Sequence, residues 1–170
     1  MKCDKILIVG GGSAGWMTAS TLIRAFPDKD ITVLESPKIP TISVGESTIS
    51  KVKQWTKFLG IEDKEFLKHT DGTIKFSIKF TDFNGKDEAA FHYPFGAVVT
   101  EGTKLRYNDW WMKKAYNPGL PVSDYADCFS PVMALINQSK GAKNFRGFDN
   151  DKDSAYQFDA IKFGIWLRDH

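Results

Sequence analysis

Ile6-Leu7-Ile8-Val9-Gly10-Gly11-Gly12-Ser13-Ala14-Gly15-Trp16-Met17 is the stretch on which the fold turns. Ile6 to Val9 is a continuous aliphatic run that stops at a glycine, the pattern of a buried parallel strand entering a tight turn. Beyond the glycines, Trp16, Ala19, Ile23 and Phe26 recur three or four residues apart and predict a helix that Pro27-Asp28 breaks. Ile31-Thr32-Val33-Leu34-Glu35 then resumes as a second strand. The sequence of elements is strand, glycine turn, helix, strand.

Gly10-x-Gly12-x-x-Gly15 is a weak signal by itself, but here it follows a strand and opens a helix, and Glu35 lies 20 residues after Gly15. That context is the dinucleotide-binding fingerprint. Gly10 permits the tight turn, Gly12 lets the backbone approach a pyrophosphate, and Gly15 lets the helix pack closely on the strand. Gly11, Ser13 and Ala14 complete the loop, and the helix start offers free N–H groups and a positive dipole end to phosphates. Glu35 is placed to accept hydrogen bonds from the adenosine ribose hydroxyls. A packing turn without a ligand would use the same glycines, but the complete fingerprint favours the dinucleotide site.

Further along, Pro37-Lys38-Ile39-Pro40 reads as a loop and Val44-Gly45-Glu46-Ser47 as a turn. Ile49, Val52, Trp55 and Leu59 mark one face of a helix that ends at Gly60, with Glu46 or Ser47 as candidate caps. From Thr73 to Phe83 the period changes to two: Ile74, Phe76, Ile78 and Phe80 alternate with Lys75, Ser77, Lys79 and Thr81. This predicts one half-buried strand with both lysines on its polar face, and spacing alone does not separate Lys79 from Lys75. Residues 84–150 are rich in turn signals, with Trp110-Trp111 as either core or an aromatic pocket wall. His69 and His92 have no partner at ligand or triad spacing. Tyr156, Ala160, Phe163 and Leu167 predict a last helix.

Composition narrows the function classes. The 170 residues are 42% hydrophobic, and 23 basic against 21 acidic residues give a formal charge of +2 with the signs interspersed. No basic stripe asks for nucleic acid. Cys3 and Cys128 are the only cysteines, without disulfide-framework or zinc spacing, and no apolar run approaches membrane-spanning length. A cytoplasmic location, no metal and no membrane partner are expected.

Four stretches, in this order and at these separations, resemble the flavin-dependent halogenases of the tryptophan halogenase type. They are Ile8-Val9-Gly10-Gly11-Gly12-Ser13-Ala14-Gly15-Trp16-Met17, Val44-Gly45-Glu46-Ser47-Thr48-Ile49, Ile74-Lys75-Phe76-Ser77-Ile78-Lys79-Phe80 and Ala155-Tyr156-Gln157-Phe158-Asp159-Ala160. The resemblance implies an α/β fold with a Rossmann-like FAD-binding βαβ start and an additional strand-and-loop region, residues 1–170 forming one partial domain that is incomplete relative to the family. It implies that reduced FAD, supplied by a separate flavin reductase, yields hypohalous acid from oxygen and halide. Lys79 corresponds to the lysine that passes the halogen to a small, electron-rich aromatic substrate of the tryptophan or indole type. Glu46 corresponds to a residue in the strap that touches the flavin.

Departures accompany the likeness. Ser13 stands where threonine is usual and Ser47 where alanine is usual. The family's Trp-x-Trp-x-Ile-Pro stretch and the later glutamate that assists the lysine are absent. The expectation is therefore that a carboxy-terminal half is missing and that the chain alone is inactive. Two other readings stay open: an FAD-dependent monooxygenase or oxidoreductase in which Lys79 is a surface residue, and a truncated, non-catalytic FAD-binding fragment. An NAD-dependent dehydrogenase fits least, because the glycine turn opens into Gly15-Trp16-Met17 and the rest follows the halogenase order.

Overall fold

The computed structural model describes residues 3–38, 44–83, 85–86, 90–96, 107–120, 124–141, 143–145 and 147–170. Its elements in chain order are β1 (Lys5–Val9), α1 (Ser13–Ala25), β2 (Asp30–Leu34), β3 (Gly45–Ser47), α2 (Lys51–Leu59), α3 (Asp63–Thr70) and β4 (Thr73–Lys75). There follow β5 (Ser77–Phe80), β6 (Phe91–Pro94), α4 (Tyr107–Tyr116), α5 (Asp124–Phe129), α6 (Met133–Asn137), β7 (Ala155–Asp159) and α7 (Ala160–Asp169). Two compact units result, one of Met1–Thr73 with Tyr156–His170 and one of Ile74–Ala155.

The first unit starts as its sequence predicts. β1 and β2 pair in parallel from Lys5↔Asp30 to Val9↔Leu34, with α1 as the crossover. Ile6, Ile8, Ile31 and Val33 are half-buried on one face. Leu7, Val9 and Leu34, on the other, are 61%, 77% and 55% exposed. Parallel sheets are ordinarily covered on both faces, so this sheet presents a bare apolar side.

Phe66 of α3 is the centre of the unit's core. Its ring stacks on Tyr156 at 4.2 Å and meets Phe158, Phe163 and Trp166 at 5.2, 5.7 and 5.8 Å. Beside these rings the Lys53 ammonium is buried, bonded to Asp63 Oδ2 at 2.6 Å and lying 4.9 Å from the Tyr156 ring centroid. The Tyr156 hydroxyl donates to the other Asp63 oxygen. A buried ammonium demands such a partner, because an unpaired one would lose its hydration with no return.

Four sequence expectations are corrected. Gly45–Ser47 is not a turn but β3, antiparallel to β7 with Glu46 opposite Phe158. Neither Glu46 nor Ser47 caps α2; Ser50 holds that position, while Gly60, at φ +82°, ends the helix as its glycine predicts. Tyr156 belongs to β7 rather than to the last helix, where Asp159 takes the cap and accepts from the N–H groups of Ile161 and Lys162 at 2.8 and 3.0 Å. The fourth correction concerns Thr73–Phe83, which holds two strands, β4 and β5, separated at Phe76.

In the second unit β5 pairs antiparallel with β6, Ser77↔Pro94 through Phe80↔Phe91. The break at Phe76 undoes the shared polar face of the two lysines. Lys75 is half-buried with its Nζ 5.4 Å from the Phe95 ring centroid, and burial lowers its pKa; Lys79 is exposed. Helices α5 and α6 contribute Ala126, Phe129 and Met133 to a small core that also holds Val132 and Phe148. Trp111 of α4 is 49% exposed, so it is not a core residue.

Candidate functional site: a two-part trough and a lysine hairpin

The turn after β1 is built from backbone. Gly10 adopts φ +122°, open to glycine and strained for any side chain, and its N–H donates to Leu34 O at 2.8 Å, tying the ends of the two strands together. A Cβ on Gly15 would overlap the Gly10 carbonyl oxygen, and one on Gly11 would overlap the Glu35 carboxylate. Glu35 therefore lies directly over Gly11. Gly12 precedes α1, whose first turn has no side-chain cap and no acidic residue. Its leading N–H groups are thus left for an anion, with nothing negative in the first turn to repel one.

These residues open on a cavity of about 250 Å³ lined by Gly11, Gly12, Ser13, Trp16 and Glu35. The facing wall is α7, through Ala160, Ile161, Gly164, Ile165 and Arg168. Gly164 faces Trp16, and a Cβ there would stand 4.0 Å from Trp16 Cδ1, an ordinary contact distance, so the wall does not depend on glycine at this position. Arg168 Nε bonds Asp169 at 3.0 Å, which with a smaller contribution from Glu35 favours its charged form. Of the expected cofactor residues, Gly10 and Gly15 shape the turn without lining the cavity, and Ala14 is exposed outside it.

A second cavity, about 510 Å³, is lined by β3 from Gly45 to Ser47 and by Gln157, Phe158 and Asp159 of β7. Asp71 and Thr73 complete one side. Ile161, in the first turn of α7, borders both cavities, one of which reaches Glu35 and the other Glu46; from this shared residue we infer that they are the two parts of one trough. The strap carrying Glu46 is held just beyond it, where Thr48 N and Oγ1 both donate to Tyr156 O and Thr48 Oγ1 accepts from Tyr156 N.

The α7 wall is what sequence reasoning missed. No residue pattern marked it, since even Gly164, in mid-helix, has room for a Cβ beside Trp16 and so is not a close-packing glycine. Glu46 was singled out, but its place on a strand depends on pairing with residues more than a hundred positions away.

Lys79 stands in the second unit opposite His92. His92 Nδ1 lies 2.8 Å from Ser77 Oγ. Burial first, and the Lys79 charge second, lower the His92 pKa, with Asp127 opposing them.

Comparison with known proteins adds an independent line. The family model for tryptophan halogenase matches residues 5–170. Tryptophan 7-halogenase RebH of Lentzea aerocolonigenes is 36% identical over 185 residues, an alignment covering 98% of this chain and 34% of that protein. The solved structure of VirX1 matches at a TM-score of 0.87 and 31% identity, over 99% of this chain and 33% of its own. Tryptophan 6-halogenase SttH from Streptomyces toxytricini matches at 0.78 and 29%, over 97% and 32%. The chain spans about a third of the length of these relatives. Among the described residues, no helix is long and apolar enough to cross a membrane.

Proposed function

The chain belongs to the tryptophan halogenase family, and we propose that it serves FAD-dependent halogenation of an electron-rich aromatic of the tryptophan or indole type. The two-part trough supports this reading more than any other observation, because a flavin dinucleotide is itself two-part. Its adenosine and pyrophosphate would be held by Glu35, the glycine turn and the uncapped start of α1; its flavin end would lie toward Glu46. The fit is physical: the turn offers N–H groups with no carboxylate in the first helical turn, and Gly11 leaves no side chain between backbone and Glu35.

Reduced FAD, made by a separate flavin reductase, supplies the electrons with which oxygen and halide become hypohalous acid. The family resemblance points to Lys79 as the halogen-passing lysine, and acid–base chemistry says how it would act. Its ammonium donates a hydrogen bond to the oxygen of hypohalous acid, drawing electrons from the oxygen–halogen bond while an aromatic carbon attacks the halogen. The ammonium proton goes to the departing hydroxide, giving water, and the ring proton lost afterwards restores the balance. In the alternative role the neutral amine takes the halogen, releases water, and passes the halogen to the ring. Either role needs water excluded around the amine. Lys79 is exposed, so the aromatic substrate or further polypeptide has to supply that cover.

The bare face of Leu7, Val9 and Leu34 favours a second reading, in which the chain by itself binds FAD without turning over and works with further polypeptide laid on that face. Turnover separates the readings. With the covering polypeptide present, and with reduced FAD, oxygen, halide and tryptophan or indole, mass spectrometry should find halogenated product that Lys79→Ala abolishes and Lys75→Ala spares. The chain alone is expected to give none until the covering polypeptide is added. Oxygenated product that forms without halide and ignores Lys79→Ala would instead make the protein an FAD monooxygenase.

A further inference from the structure

Lys79 and His92 are direct partners in the β5–β6 register, so their side chains leave the hairpin on the same face, side by side. Ser77, two residues earlier on β5, shares that face, and its hydroxyl engages His92 Nδ1 at 2.8 Å. In the tautomer whose Nδ1–H donates to the Ser77 hydroxyl oxygen, Nε2 is the ring's acceptor and can meet a donor. From α5, which packs against β6, Asp127 is the other charge that acts on His92. Lys75 has a different environment, against the Phe95 ring.

We propose that His92 is a positioning residue for Lys79: its neutral imidazole accepts a hydrogen bond from the Lys79 ammonium and fixes it, and protonation of the ring in acid releases it. The proposal rests on the reading of Lys79 as the halogen-transferring amine. Magnitudes separate acceptor from base. Lysine and histidine differ by roughly four pKa units, a bias of about 10⁴-fold against moving the proton to the imidazole. His92 therefore orients the ammonium rather than deprotonating it. Burial and the Lys79 charge both disfavour a second cation at this spot, so the ring stays neutral where histidine would ordinarily begin to protonate.

The test uses the 170-residue chain with neither flavin nor halide. Side-chain NMR of Lys79, Lys75 and His92 is followed through pH about 5 to 8, the range of histidine switches. The Lys79 Cε–Hε signal should step at the His92 midpoint, which lies below the ordinary histidine value, while Lys75 shows no step. Lys79→Met should raise the His92 midpoint. His92→Gln, whose amide oxygen still accepts but does not titrate, should erase the step and leave the Lys79 signal near its native position; His92→Ala should shift it toward that of an unrestrained lysine. A Lys79 signal without a step, an equal step in Lys75, or a His92 midpoint indifferent to Lys79→Met would overturn the pairing. None of these outcomes depends on turnover, so failure here is distinct from failure of the halogenase reading, which is read from product in Lys79→Ala.

Discussion

At the glycine turn the working parts are backbone atoms, held where no side chain fits; at the β5–β6 hairpin they are side chains on a partly exposed face. Gly10 has a positive φ, Gly15 sits against the Gly10 carbonyl and Gly11 lies under Glu35, so three neighbouring positions admit only glycine. The hairpin places Lys79, His92 and Ser77 together through strand register, which other residues would also satisfy. Backbone devices announce themselves in sequence because few residue types can make them. Side-chain devices do not, since a lysine on a strand is most often a solvated lysine.

The largest expected effect breaks the backbone device. Gly15→Ala places a methyl inside the Gly10 carbonyl, and α1 has to move off β1 to accept it; the first unit should lose more than about 3 kcal/mol in urea unfolding. Signals of the β5–β6 hairpin serve as the comparison. A variant of native stability would mean that the close approach of helix and turn is not a real constraint.

Next comes the buried charge beside the Tyr156 ring. Lys53→Met leaves Asp63 facing Tyr156 without its cation, and removing one partner of such a pair should cost roughly 2–3 kcal/mol, less than for a fully enclosed pair because Asp63 is partly open to water. The companion Lys53→Met/Asp63→Leu should recover part of that loss, as measured by thermal unfolding. No recovery would place the value of Lys53 in its packing rather than its charge.

A smaller effect belongs to the hairpin. The folded-state pKa of His92 lies below its unfolded value, so its contribution to stability is complete above the ordinary histidine pKa near 6.5 and is lost as pH falls through the folded value. Wild-type stability should therefore decline on acidification from pH 6.5, and His92→Gln should remove that part of the slope. Identical pH dependence in the two proteins would show that His92 is equally exposed to water folded and unfolded.

The same contrast explains what was legible in the sequence. β1, α1, β2 and the place of Glu35 follow from local pattern, and β1 begins within one residue of the aliphatic run, at Lys5. Glycine 60 ends α2 as expected. By contrast β3 has no strand-forming residue in Gly45-Glu46-Ser47 and exists through its pairing with β7. Tyr156 fitted a helical period by coincidence, because its burial comes from Phe66 across the core. The α7 wall was invisible for the same reason: nothing in Ala160, Gly164 or Arg168 says which turn they will face. Lys75 and Lys79 were inseparable until the break at Phe76 gave them different neighbours.

If one trough receives a flavin dinucleotide along its length, amide NMR of the chain titrated with ADP and then with FAD should map the two ends of the ligand separately. Even weak binding suffices, because shifts are read residue by residue. ADP should move Gly11, Gly12, Ser13, Glu35 and Arg168, FAD should move these and also Glu46, Ser47 and Asp159, and Gly12→Val should erase both sets. Shifts confined to other residues, or the same small set for both ligands, would contradict binding along one trough.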